Sequence, residues 1–469
     1  MERSEFIKQN KPLLEKLLKL LKKDYQYASV LAVDSFSKNF SVSKGGVSVG
    51  EQSLFTKKGF VVRVYKDGKY GEYSFNDIDE SKVDSIASEI TSTLSALSMA
   101  ASSDFIDLYE EKESKFFKEV DAVAPEELKD EYILSRLKQV REKSFSLSDK
   151  LLDTSVRYNY RVFSKLFLSD KKDLEQNVVW ACAGITAMGK KNEEIKEYYA
   201  GLSSYGGKGL WEKMNKALPD VVSGMEALLD ASPMIPGEYD CVCTPEVTGM
   251  IVHEAFGHGV EEDMFVKDRA LAKDFLGKYV ASPLVTMRDG AASYPECGSY
   301  FFDDEGVEAT DTVIIDKGVL VSGINDSLSA MKLGFPSTGN GRRESFERKA
   351  YTRMTNTYFE KGTSTPEEMI KSIKYGFLLE NPFSGMEDPK NWGIQLMVNM
   401  AREIKDGKLT GKVFSPIVMT GYVPDLLKSI SMVGDEIELC GSGFCGKGYK
   451  EWVKVSDGGP YIKAKIRLG

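Results

Sequence analysis

The stretch VHEAFGHGVEED, Val252 to Asp263, contains both histidines of a 469-residue chain, His253 and His258, and Glu254 directly follows the first. Neutral imidazole is a good ligand for Zn²⁺, and a carboxylate beside such a metal can take the proton of a water. In outline this is a hydrolytic zinc site. The pattern is H-E-x-x-x-H, one residue longer than the zincin pattern H-E-x-x-H. In a regular α-helix that spacing turns the two side chains about 140° apart, so the rings could not share one metal. A one-residue π-bulge, or a helix ending at Gly257, would restore convergence, and Gly257 is the residue expected to relax the backbone.

A catalytic zinc site holds three protein ligands and keeps one position open. Cys445, in the glycine-rich CGSGFCGKGY, is the best candidate for the third, with the fold bringing it back to the histidines. Cys440 competes, but it ends the alternating run EIELC and reads more easily as a buried strand cysteine. Glu261, Asp263 or a later acid could ligate instead, although support of a histidine suits Glu261 and Asp263 better. TRMTNTY offers Arg353, Asn356 and Tyr358, able to hold a peptide carboxylate or steady an oxyanion. For Asn356 a satisfied structural network is the preferred reading. Arg342 and Arg343 in TGNGRRESF could form an anion-binding loop, although surface ion pairs explain adjacent arginines more often.

These residues need a scaffold, and the chain is long enough for two domains. The opening QNKPLLEKLLKLLKKDY predicts an amphipathic helix starting near Asn10 and Pro12, packed on its own sheet. Alternating runs from Tyr27 to Asp77 predict antiparallel strands, and helices are expected near Ser81–Ser98 and Glu126–Ser148 with a charged stretch between them. Further strands and a helix from about Leu210 to Ala231 complete an α+β first domain, residues 1–232, in which helices cover a mostly antiparallel sheet. SPMIPGEY marks the boundary near Pro233. EYDCVC is then a strand, Thr244-Pro245 starts the histidine helix, and residues 233–469 should form a mainly β domain.

With 62 basic against 71 acidic residues, the net charge of −9 gives no support for nucleic-acid binding. No apolar run reaches the length of a membrane span or a signal peptide, so a cytoplasmic, membrane-free setting is expected. The six cysteines form no C-x-x-C pair and suit reduced thiols.

The second half resembles the TldD/PmbA family of metallopeptidases. The likeness rests on HEAFGHGVEED, SPLVTMRDG with FDDEG, STGNGRRESF, RMTNTY, SMVGDE and CGKG, in the same order. It implies a cytoplasmic Zn²⁺ peptidase that cuts unstructured peptides. The family's two histidine ligands, cysteine ligand and glutamate base are filled here by His253, His258, Cys445 and Glu254. It also implies a paired assembly, either a homodimer or a heterodimer with a family paralogue. Where many members have a segment near GGQVD, this chain reads SGMEDPKNWGIQ, Ser384 to Gln395, and the family's substrate preference does not carry over. The alternative is a non-catalytic peptide-binding or regulatory subunit whose zinc is structural and closed by a fourth ligand such as Cys440.

Overall fold

The computed structural model describes residues 4–67, 69–97, 112–118, 122–448 and 450–469. Most of the expected charged stretch after the second helix lies outside the described residues. The first helix, α1 (Glu5–Leu21), begins ahead of Asn10 because Ser4 caps it, its hydroxyl accepting from the Ile7 amide at 3.2 Å. Pro12 therefore sits inside the helix rather than at its start. Ile7, Leu14, Leu17, Leu18 and Leu21 are buried against the chain's own sheet, which settles the role of the amphipathic face.

That sheet has eight strands: β1 (Tyr27–Ser43), β2 (Gly46–Glu51), β3 (Lys57–Lys66), β4 (Lys69–Phe75), β5 (Glu113–Lys118), β6 (Leu151–Leu168), β7 (Lys172–Lys191) and β8 (Glu194–Tyr205). The main order is β4-β3-β1-β6-β7-β5, with β2 beside β1 and β8 beside β7; among the described residues only the β5–β7 pair is parallel. Three further helices, α2 (Val83–Leu97), α3 (Asp130–Ser144) and α4 (Leu210–Leu228), accompany it. Residues that alternate along β1 go to opposite sides. Val30 and Ala32 pack under α1 and α2, while Leu31 and Val33 pack with Phe302 and Phe346 of the second half. The run Asn177–Ala183 of β7 is buried at every position, the pattern of a strand covered on both faces. The fold is thus mixed α and β, as expected, and the second face of the first sheet packs against segments of the second half that include Cys297, Tyr300, Phe302, Phe346 and Phe444.

The second half is built on strands β9 (Gly237–Cys243), β10 (Met287–Asp289), β11 (Asn356–Phe359), β12 (Tyr375–Asp388), β13 (Gly393–Lys405), β14 (Lys408–Phe414), β15 (Ile417–Tyr422), β16 (Phe444–Lys447), β17 (Lys450–Lys454), β18 (Ser456–Gly459) and β19 (Ile462–Leu468), among shorter ones. The pairings β12–β9–β19–β15–β13–β12 close on themselves into a ring, with β14 added to β13. A second sheet runs through β10, β11 and β18, in which β11 and β18 are parallel. β16 and β17 form a separate hairpin.

Arg343 was expected in an anion-binding loop or a surface ion pair; the fold buries it instead. Its side chain is 4% exposed and donates to both oxygens of Glu72 in β4, one at 3.0 Å. Arg63 lies between Glu72 at 2.7 Å and Glu305 at 2.5 Å. Four charges from three parts of the chain are thereby neutralised where the halves meet. Burial would raise the Glu72 carboxyl, but Arg63 and Arg343 outweigh it and lower it to about 2. A folded-state value below the ordinary 4.5 means that the pair stabilises the fold above that pH and loses its contribution as the pH falls toward about 2. Glu72→Gln should therefore cost about 3–5 kcal/mol near neutral pH by leaving two buried guanidinium groups short of a partner. In urea unfolding repeated across pH, the gap between variant and wild type should narrow from pH 4.5 downward.

Candidate metal centre

After β9, Pro245 opens a short helix, α5 (Pro245–Met250), which passes into a π-helical turn over Ile251–Gly257. A π turn bonds residue i to i+5, so side chains five apart lie one above the other. His253 and His258 consequently face each other, ring centroids 5.1 Å apart and planes at 86°. The expected π-bulge is present, but Gly257 supports it for a different reason. Its backbone is ordinary right-handed helix, φ −61° and ψ −47°, so no special conformational freedom is used. A Cβ there would stand 2.2 Å from Met354 Sδ and 3.2 Å from Val252 O. The glycine is required by close packing, in a turn whose Ile251, Val252, Ala255 and Phe256 are wholly buried.

Cys445, on β16, is 5% exposed and places Sγ 3.4 Å from His258 Nε2. Ligand atoms of His253, His258 and Cys445 all lie within 4.8 Å of one another. A tetrahedral zinc with ordinary Zn–N and Zn–S bonds has an N···S edge of about 3.6 Å, so the donor set and spacing fit that metal. Burial alone would lower both imidazoles, but the Cys445 sulfur raises His253 to about 9 and His258 well above its ordinary value. Reciprocally, burial would raise the Cys445 thiol, and the two histidines bring it well below its usual range. The cluster favours a thiolate, the form that binds metal. Among the described residues no fourth His, Cys, Asp or Glu joins this group. Cys440 Sγ is turned toward β8, 3.3 Å from Gly201 O and 3.3 Å from Ser442 Oγ.

The shell around the cluster is acidic and cross-braced. Glu261 Oε2 lies 3.7 Å from His258 Nδ1 and accepts from Lys447 Nζ at 2.7 Å, with Arg353 Nε 3.5 Å from its other oxygen. Burial works against the Glu261 charge, but Lys447, His258 and Arg353 hold its carboxyl well below the usual range. Asp263 does not support a histidine as expected; it accepts from Lys447 and Lys267, each at 2.8 Å. Arg353, a candidate for holding substrate, is fully buried and donates to the carbonyls of Cys445, at 2.8 Å, and Glu451, so it positions the β16–β17 hairpin. Tyr358 is likewise buried and reaches Ser293 O. Asn356 binds Gly290 O, Tyr294 O and Ser299 Oγ, the structural network expected of it.

Two acids escaped the sequence reading. Asp457, on β18, comes within 3.8 Å of His253 Nδ1, and burial raises its carboxyl to about 6 despite His253. The glycine run SDGGP was the available signal: a Cβ on Gly249 of α5 would stand 2.7 Å from Gly458 N, so glycine lets the helix seat against β18. Glu387, in the divergent Ser384–Gln395 segment, has both carboxylate oxygens buried, with the Gly259 backbone and His258 as its polar neighbours. Burial holds its carboxyl well above the ordinary value.

His253, Glu254, His258 and Cys445 line a cleft of about 830 Å³. Two strand edges border it. Residues 384–388 of β12 pair only with β13, since β9 ends its pairing at Leu379, and β16 pairs only with β17 among the described residues. Glu254 is half-buried, and its stem lies against β12, where a Cβ on Gly385 would come 2.5 Å from Glu254 Cγ.

Residues 236–467 match the family described as the PmbA/TldA metallopeptidase C-terminal domain. A metalloprotease of Methanothermobacter thermautotrophicus is 32% identical over 323 residues, covering 68% of this chain and 69% of the relative. A zinc metalloprotease TldD homolog of Saccharolobus solfataricus is 27% identical over 72% of this chain and 75% of its own length. The crystal structure of TldE from Thermococcus kodakarensis superposes with a TM-score of 0.78 at 17% identity, covering 97% of this chain and 100% of that one. That last likeness is one of fold.

Metal titration against a competing chelator should separate these residues. Cys445→Ala should lose tight binding, Cys440→Ala should keep it, and Glu261→Gln should weaken it about 10–100-fold through the histidine it supports.

Proposed function

Because the chain belongs to the PmbA/TldD metallopeptidase family, we propose that it is a zinc-dependent peptidase acting on unfolded or extended peptides, with Glu254 as its general base. The observation that carries this reading is the convergence of His253, His258 and Cys445 at the wall of an open cleft, with Glu254 beside them. When bound, zinc supplies Lewis-acid polarisation of a carbonyl and a lowered pKa for water. Glu254 accepts the proton of the water that attacks the scissile carbonyl and later delivers it to the leaving amine. Gly385 keeps its stem free of a clash. Glu261 and Asp457 orient the two imidazoles from behind. Three ligands, rather than four, support a catalytic over a structural zinc.

The unpaired edges of β12 and β16 suit an extended substrate, whose main chain can add to a strand while its side chains are read only weakly. Phe383 and Met386, 50% and 67% exposed on β12, give that wall an apolar surface. The same reading includes pairing with a second copy or a paralogue, and a cytoplasmic setting. Six free cysteines fit that setting, and no helix among the described residues is long and apolar enough to cross a membrane.

Incubated with an unstructured peptide and followed by mass spectrometry, the wild type should cleave, lose activity to a chelator and regain it with zinc. Glu254→Gln should reduce turnover at least about 100-fold with metal content unchanged, since the residue moves protons rather than holding the ion. Full cleavage by Glu254→Gln, or by metal-free protein, would refute the assignment.

A further inference from the structure

Where the first sheet meets the loops of the second half there is a cavity of about 50 Å³, whose lining shares only Trp452 with the metal cleft. A water needs about 10–15 Å³ by this measure, so a small polyatomic ion has room. Five cationic side chains line it: Arg161 and Lys165 of β6, Arg342, Arg343 and Lys454 of β17. Two are already neutralised, Lys165 by Asp304 of the same wall at 2.5 Å and Arg343 by Glu72 outside it.

The other three have no carboxylate within ion-pair distance among the described residues. Arg161 donates from Nε to Ser35 Oγ at 2.7 Å and lies 5.1 Å from the Phe55 ring and 5.5 Å from Phe163. Arg342 gives its two terminal nitrogens to the carbonyls of Met354 and Lys454. Lys454 is 3% exposed, its buried Nζ meets no carboxylate and only the Cys182 thiol as a polar neighbour, and it lies 4.6 Å over Trp180 and 4.4 Å over Phe444. The remaining acids are otherwise occupied. Asp303 accepts the amides of Glu305, Val307 and Gly341, and burial raises its carboxyl to about 7; Glu344 accepts the Trp452 amide at 2.7 Å. Burial lowers Arg161 to about 10, only partly offset by Asp304. Lys454 also faces the buried Cys182 thiol, which burial would raise but which Cys297 and Lys454 bring to about 7.

We propose that this cavity is a binding site for a small oxyanion of the phosphate or sulfate type, held by Arg161, Arg342 and Lys454 where the two halves of the chain meet. Such an anion supplies several acceptor oxygens to donors converging from β6, the short strand Gly341–Arg342 and β17. It also braces the metal site at second hand, because β17 pairs with the strand that carries Cys445, Val453 standing opposite that cysteine.

The test is thermal unfolding of the full chain, titrated with inorganic phosphate at constant ionic strength against chloride, for wild type and Lys454→Met. Phosphate stabilises most proteins somewhat by exclusion from their surface, equally in both forms, so the difference between them is the readout. Saturating phosphate should raise the wild-type midpoint by about 2 °C more than it raises that of Lys454→Met. In chloride, Lys454→Met should melt above wild type, because methionine fills the Trp180–Phe444 slot without an uncompensated buried charge. Should that variant fail to fold, Arg161→Gln carries the same comparison. An equal phosphate response in wild type and variant overturns the proposal. So does the absence of any wild-type response, which would leave Cys182 as the counter-charge of Lys454.

Discussion

The molecule depends on one hydrogen-bonding register, the i to i+5 bonding of Ile251–Gly257. A regular helix would aim His253 and His258 in different directions. The π turn aims them at one point, where Cys445 arrives from β16. Such turns are rare because their bonding is poorer, and they persist only when their surroundings hold them. Here the surroundings are dense: strands of the ring on one side, β11 and β18 on the other, and Met354 against Gly257 where a methyl group would not fit.

Placing a thiolate and two imidazoles together in a buried site commits the rest of the fold to electrostatic support. Glu261 faces one histidine and Asp457 the other, and Lys447 ties Glu261 and Asp263 to the cysteine hairpin. Arg353 holds the carbonyl of Cys445 itself. Removing water makes each of these interactions stronger and each unpaired member costlier. That gives a physical account of why RMTNTY, CGKG and HEAFGH, far apart in sequence, end as one network.

The first half has a related role at longer range. Its sheet offers one face to its own helices and the other to the second half, so the peptidase-like half rests on a surface it does not itself supply. The contact is not merely apolar. Gln176 accepts from the Phe301 amide and donates to Phe302 O, and the Arg63–Glu72–Arg343 group spans the join. These charges lie deep, where each one needs a partner of opposite sign, so a small cluster of surplus cations there invites an anion.

Local chemistry was legible in the sequence because its signals are short in range. The spacing of His253 and His258 demanded a break from regular helix, either a π-bulge or an end at Gly257, alternation exposed the strands of the first sheet, and a glycine-rich bend favoured Cys445 over Cys440. The helix start was misplaced because the Ser4 cap was passed over in favour of Pro12. Gly257 was read as a flexible residue because a sequence shows that a position lacks a side chain, not what occupies the space. Arg343 was read as part of an anion-binding loop or a surface ion pair, Arg353 as able to hold a substrate carboxylate or an oxyanion, and Asp263 as support for a histidine; the partners that claimed them, Glu72, the Cys445 carbonyl and Lys447, lie many residues away. Asp457 and Glu387 were missed for the same reason. Which atoms can bind a metal follows from residue type and local spacing; which charges face them, and which are left without a partner, follows from long-range packing, because an electrostatic partner is chosen by distance in space.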